Sequence, residues 1–161
     1  MDAERRSEPM GNRTTVVKRS EREVVVTRSF DAPAHLVFEA WSKPELFKRW
    51  WVPKSMGMTL HSIEMDVRTG GKYRLGFGDG MDFFGRYIEV TPQARIVWTN
   101  DEEGENASVT TVTFEEKDGR TLLVMSELYP SKEALDEAGT GAADATHETF
   151  GQLDELLVTL H

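Results

Sequence analysis

The sequence predicts an α+β domain in which a curved, seven-stranded antiparallel sheet wraps one long C-terminal helix. Three observations lead there. Apolar residues recur with a period of two across residues 58–128, in runs of strand length joined by connectors of a few residues, which implies antiparallel neighbours. A helical period takes over at residues 142–160. Two short helices follow directly on the first strand, an unusual arrangement in a short domain.

The 161 residues suit one domain, long enough to bury a proper core. Hydrophobic residues make up 39% and charged residues 29%, the balance of a globular protein in water. There is no cysteine, which excludes disulfides, thiolate metal sites and a cysteine nucleophile and fits a cytoplasmic setting. No apolar run approaches the roughly 18 residues of a membrane span, and the polar first 20 residues lack the apolar core of a signal peptide. Net charge is −9, and it is uneven: residues 1–100 carry 16 basic and 13 acidic side chains, residues 101–161 carry 3 and 15. Such an acidic half disfavours nucleic acid and anionic membranes as partners.

Residues 1–20 have no apolar period and read as a flexible tail, within which Thr14-Thr15-Val16-Val17 can pair as an extra edge strand; residues 21–161 form the single domain. Glu23-Val24-Val25-Val26-Thr27-Arg28-Ser29-Phe30 is β-branched and of strand length. Asp31-Ala32-Pro33 offers an acidic cap and a first-turn proline to a helix with Leu36, Val37, Ala40 and Trp41 on its apolar face. Ser42-Lys43-Pro44-Glu45 has the spacing of a capping box and predicts a second short helix, ending near Trp50 and before Pro53. Strands follow through Met58, Leu60 and residues 63–67, then Tyr73, Leu75 and Phe77, then residues 83–90, 95–100, 109–115 and 121–128, with turns at Gly70-Gly71, Gly78-Asp79-Gly80 and Lys117-Asp118-Gly119. Residues 131–138 form a short helix closed by Gly139-Thr140-Gly141. In the last helix Ala143, Thr146, Phe150, Leu153, Leu157 and Leu160 make one stripe, with Asp144, Glu148, Asp154 and Glu155 off it. A single helix cannot fill the concavity of such a sheet, so a mostly apolar cavity is expected between them, with the short helices at its mouth.

The order of these elements carries a resemblance. Arg28-Ser29-Phe30-Asp31-Ala32-Pro33, Val37-Phe38-Glu39-Ala40-Trp41, Trp50-Trp51-Val52-Pro53-Lys54, Asp66-Val67-Arg68-Thr69-Gly70-Gly71 and the closing Glu148-Thr149-Phe150-Gly151-Gln152-Leu153-Asp154-Glu155-Leu156-Leu157 resemble the activator-of-heat-shock-protein-90-ATPase homology family, part of the START-like, helix-grip superfamily that includes polyketide cyclases and birch-pollen-type allergens. The resemblance spans residues 21–161. Some relatives carry a Gly-Trp pair on the last helix where this chain has Glu148-Thr149. The resemblance implies a helix-grip fold and binding of a small hydrophobic molecule such as a lipid or polyketide, without a cofactor. It leaves open an enzyme of cyclase or hydrolase type and a chaperone-interaction domain, because one fold hosts all three.

The residues themselves give the candidate site. Trp50 and Trp51 end the second helix beside the expected mouth; one suits the core and the other the cavity, and Trp41 is open to either role. Alternation turns Tyr73, Leu75 and Phe77 inward, with Ile96 and Trp98, Val112 and Phe114, and Leu123, Met125 and Glu127. Phe150 and Leu153 face them from the helix. On the fourth strand both Phe84 with Arg86 and Phe83 with Tyr87 form apolar-facing sets. An inward Glu127 needs a partner or its pKa rises, and Arg86 is the natural candidate, unless one or both sit at the rim in water. No catalytic constellation is evident; Glu127, Arg86 and His147 are the groups an enzyme would use. His35, His61, His147 and His161 include no ligand-spaced pair, so no metal site is expected. Asp66 and Arg68 share a sheet face and suit pinning of the Gly70-Gly71 turn. A homodimer through an edge strand or the tail stays open.

Overall fold

The computed structural model describes residues 13–78 and 80–160. Its strands are β1 (Thr15–Lys18), β2 (Glu23–Phe30), β3 (Ser62–Met65), β4 (Lys72–Gly76), β5 (Asp82–Thr91), β6 (Arg95–Thr99), β7 (Val109–Lys117) and β8 (Arg120–Leu128). Its helices are α1 (Ala34–Ser42), α2 (Pro44–Phe47), α3 (Lys132–Ala138), α4 (Gly141–Asp144) and α5 (Thr146–Leu160). The strands form one antiparallel sheet in the order β1-β2-β8-β7-β6-β5-β4-β3. No helix among the described residues is long and apolar enough to cross a membrane.

The sheet has eight described strands rather than seven. The additional one is β1, whose β-branched residues pair with the free edge of β2 from Thr15↔Thr27 to Lys18↔Val24. The expected tail therefore divides: residues 1–12 lie outside the described residues, and Thr15–Lys18 belongs to the sheet.

Two predicted caps are replaced by other arrangements. Ser42 is the last residue of α1, not a cap for α2, and Lys43 alone joins the two helices with extended backbone. Its N–H donates to the Glu39 carbonyl, and its own carbonyl accepts from Leu46 and Phe47, so the corner closes without a side chain. Asp31 does not cap α1 either; it pairs with Arg120 at 2.7 Å. The Ala34 N–H instead donates to Glu116 Oε1 at 2.9 Å, tying the first turn of α1 to β7.

The predicted final helix is interrupted at Ala145, between α4 and α5. The Thr146 hydroxyl donates to the Ala143 carbonyl at 2.5 Å, competing with the helical ladder at that point. Phe150, Leu153, Leu156 and Leu157 then bury the inner face of α5. Asp154, expected in water, is half-buried and pairs with the buried Arg28 of β2.

The sheet curves where backbones pass closely. A Cβ on Gly85 would lie 1.9 Å from the Thr99 carbonyl oxygen, and one on Gly71 would lie 1.9 Å from that of Asp66. Only glycine fits either place. Just beyond Gly85 the β5–β6 register shifts between Tyr87 and Glu89, a bulge that adds local twist. One row of residues then runs across the concave face: Tyr87, Trp98, Thr110, Glu127 and Val24, directly opposite one another on β5, β6, β7, β8 and β2.

Candidate ligand cavity

Between the concave face and the helices lies a cavity of about 700 Å³. Strands β3 to β8 form its floor; α1, α2, the following loop, α3 and Ala142 of α4 supply the other walls. Helix α5 does not line it. Phe150 packs edge-on against Phe30 at 5.6 Å, so α5 sits directly on one half of the sheet and leaves the other half open.

One end of the cavity is aromatic. Trp41 lies at its centre, 4.8 Å from Trp50, 5.7 Å from Trp51 and 5.9 Å from Trp98, ring centroid to ring centroid. Trp41, Trp51, Trp98 and Phe47 reach the cavity. Trp50 does not: it is wholly buried behind them, and its indole N–H donates to the Ala40 carbonyl at 2.9 Å. The two adjacent tryptophans thus divide between core and cavity.

A buried glutamine holds this mouth in place. The Gln152 amide on α5 donates to the carbonyls of Trp50 at 2.9 Å and Val52 at 3.0 Å, and its oxygen accepts from the Lys54 N–H at 2.9 Å. Glu148, one turn earlier, accepts from the Ser55 N–H at 2.9 Å and the Ser55 hydroxyl at 2.5 Å. These bonds keep the Glu148 carboxyl below its usual range.

The other end is polar and acidic. Glu127 points inward with Leu123 and Met125, as alternation predicts, and lines the cavity. No hydrogen bond or ion pair reaches its carboxyl among the described residues, and burial alone raises its pKa. Arg86 is not its partner. It lies on the opposite face of β5, its guanidinium bound to Asp101 at 2.9 Å in water. Phe84 shares that outer face, under the guanidinium of Arg74 at 4.8 Å. Phe83 and Tyr87 are the residues of β5 that face the cavity, on the same side as Gly85.

The lining also holds Glu102, Glu103 and Glu137, with Asn100, Ser108, Thr110 and Tyr129. Burial raises the Glu102 carboxyl, and the Phe84 N–H bonded to it opposes the shift. Tyr129 is pushed up to about 12, by burial first and by the nearby Glu127 and Glu103. Burial raises Tyr73 and Tyr87 as well; the Tyr73 hydroxyl is committed to the Thr99 carbonyl at 2.7 Å. Among the described residues, two residues of the lining each carry a buried polar atom with no hydrogen-bond partner, the Trp41 indole nitrogen and the Thr110 hydroxyl oxygen, and neither atom has surface open to the cavity.

Of the residues singled out from sequence, the fold gathers Trp41, Trp51, Tyr73, Leu75, Trp98, Met125 and Glu127 around the cavity. Val112, Phe150 and Leu153 lie in the adjoining core, and Phe77 packs beside it against Phe83 at 5.6 Å. His147 is exposed on α5, away from the lining. Thr110 and Tyr129 were reachable by extending the β7 and β8 alternation one step outward. Glu102 and Glu137 come from a loop and from α3, where no strand period could mark them.

A curved antiparallel sheet, a C-terminal helix packed on it and a cavity under two short helices define the helix-grip, START-like class. The sequence pattern of the family described as Activator of Hsp90 ATPase homolog 1-like protein matches residues 31–158, and the chain belongs to that family. A Rhodobacter sphaeroides protein of known structure is similar over 92% of this chain and 99% of its own, with a TM-score of 0.78 and 22% identity. A Nitrosomonas europaea protein gives a TM-score of 0.76 at 21% identity, covering 88% of this chain and 97% of its own. CalU16 from Micromonospora echinospora gives 0.63 at 22% identity, covering 90% of this chain and 82% of its own. Likeness at such identities establishes the fold alone. No functionally curated protein matches the chain.

Proposed function

We propose that this protein is a binding module for a small, mostly hydrophobic molecule held between the concave sheet and helices α1 to α3. The observation that carries the reading is the cavity itself. At about 700 Å³ it has the size of a small-molecule site, with an aromatic wall and a few convergent polar groups. Membership of a family that commonly binds hydrophobic ligands supports it.

The geometry favours binding over catalysis. General acid–base chemistry needs two groups within reach of one reacting position. Among the described residues no hydrogen bond joins two titratable side chains of the lining, Arg86 faces outward with Asp101, and His147 is exposed on α5. The family description also names ATPase activation, a role that would use a protein-binding surface rather than the cavity.

The test is tryptophan fluorescence during titration with a panel of lipids and aromatic polyketides, alongside native mass spectrometry of the purified protein. The reading expects saturable quenching and a co-purifying mass, with affinity falling about tenfold or more in a folded Trp51→Ala variant, since a large aromatic contact is removed. Absence of binding across the panel, with no retained ligand, would turn the question to a protein partner.

A further inference from the structure

The chemistry of the cavity's polar end says which hydrophobic molecule fits it, an inference that rests on the binding reading above. We propose that the ligand is an amphiphilic amine, with its apolar body against Trp98 and Trp51 and its protonated nitrogen at Glu127.

The first ground is charge. Four glutamates line the cavity (Glu102, Glu103, Glu127 and Glu137), and among the described residues no lysine, arginine or histidine does. Low-dielectric walls focus such a one-signed field, drawing in a cation and opposing a carboxylate or phosphate. A fatty acid therefore meets the wrong sign of charge even though its tail fits.

The second ground is an unmet hydrogen-bond acceptor. Glu127 lines the cavity, and among the described residues no hydrogen bond or ion pair reaches its carboxyl. Buried polar groups are normally paired, and an unpaired carboxyl in a cavity marks a position completed by a ligand. An ammonium group carries several donors in a small volume, so it can bond both oxygens of the Glu127 carboxyl. A neutral hydroxyl carries one.

The third ground is spacing. Trp98, Thr110 and Glu127 are successive members of one cross-strand row, so Glu127 stands about 10 Å from Trp98 along the sheet. A molecule with nitrogen at one end and an apolar body extending toward the tryptophans matches that layout.

The experiment uses three probes with one tail: decylamine, decanol and decanoate, below their aggregation limits, titrated by calorimetry into the full chain at neutral pH. Decylamine should bind about tenfold tighter than decanol, the increment of one charge-assisted hydrogen-bond site, and decanoate should bind weakest. Glu127→Gln, close to isosteric, should erase the preference for the amine while leaving decanol affinity within about twofold. Decanol or decanoate binding as tightly as the amine overturns the proposal, as does a Glu127→Gln protein that keeps the full amine preference; both leave the cavity-binding reading in place. Failure of all three probes to bind overturns this inference, while the binding reading stands or falls on the wider panel above.

Discussion

Replacing Gln152 should loosen the cavity mouth more than its single side chain suggests. Its amide makes three hydrogen bonds, donating to Trp50 and Val52 and accepting from Lys54, all 2.9–3.0 Å long. It is 9% exposed, so water cannot readily replace it. Each bond contributes on the order of 1 kcal/mol, and backbone groups left unsatisfied add to the loss. Gln152→Ala should therefore cost about 3 kcal/mol, which in a chain of this size corresponds to a fall in Tm of roughly 6–12 °C. Gln152→Glu separates hydrogen bonding from packing. It retains the acceptor for Lys54 but turns an oxygen toward two carbonyls, so it should destabilise at least as much as alanine at neutral pH despite filling the same space. Thermal unfolding followed by far-UV circular dichroism measures both, and hydrogen exchange at the Lys54 amide reports the local event. A Gln152→Ala variant melting within about 1 °C of the parent, or a Gln152→Glu variant as stable as the parent, would refute the account of this loop as held by α5.

Two further expectations follow from the sheet and the cavity. Gly85→Ala places a methyl group 1.9 Å from the Thr99 carbonyl oxygen, so β5 and β6 must separate; the loss should be about 3 kcal/mol or more by urea unfolding, and a near-neutral result would contradict the close passage. For Glu127, burial raises the folded-state pKa above the ordinary 4.5. The folded protein then binds more protons than the unfolded chain, and stability falls as pH rises from 4.5 through the folded value. Glu127→Gln should stabilise the protein at pH 7 by about 1 kcal/mol and lose that advantage below pH ~4.5. Equal stability of the two proteins at pH 7 would show that the carboxyl is not desolvated.

Much of the architecture was legible because it rests on periodicity. The alternation through Tyr73 and Leu75, through Ile96 and Trp98, and through Leu123, Met125 and Glu127 turned those side chains inward as expected. Where two periods competed, the sequence could not choose. On β5 the sets Phe83/Tyr87 and Phe84/Arg86 are equally apolar at a glance, and Gly85 decides between them. It shares the inner face with Phe83 and Tyr87, and its missing side chain admits the Thr99 carbonyl. Arg86 then turns out toward Asp101, a partner 15 residues away in a loop, rather than to Glu127. The caps were illegible for the opposite reason. The Ala34 N–H is satisfied by Glu116, 82 residues later, so no local pattern of Asp, Ser or Pro could announce it. The other glutamates of the lining, Glu102, Glu103 and Glu137, come from loop and helix, outside any strand period.

The clustering of Trp41, Trp50, Trp51 and Trp98 has an optical consequence. These are all four tryptophans of the chain, and Trp41 lies within 5.9 Å of each of the others. At such separations excited indoles exchange energy faster than they emit. The four rings therefore behave as one chromophore, and a molecule that quenches Trp51 or Trp98 at the cavity wall also drains the buried Trp50. Coupled transitions of this kind give split bands of opposite sign in the ultraviolet circular dichroism. The shape of those bands reports the geometry of the aromatic wall, so a ligand seated there announces itself without a label.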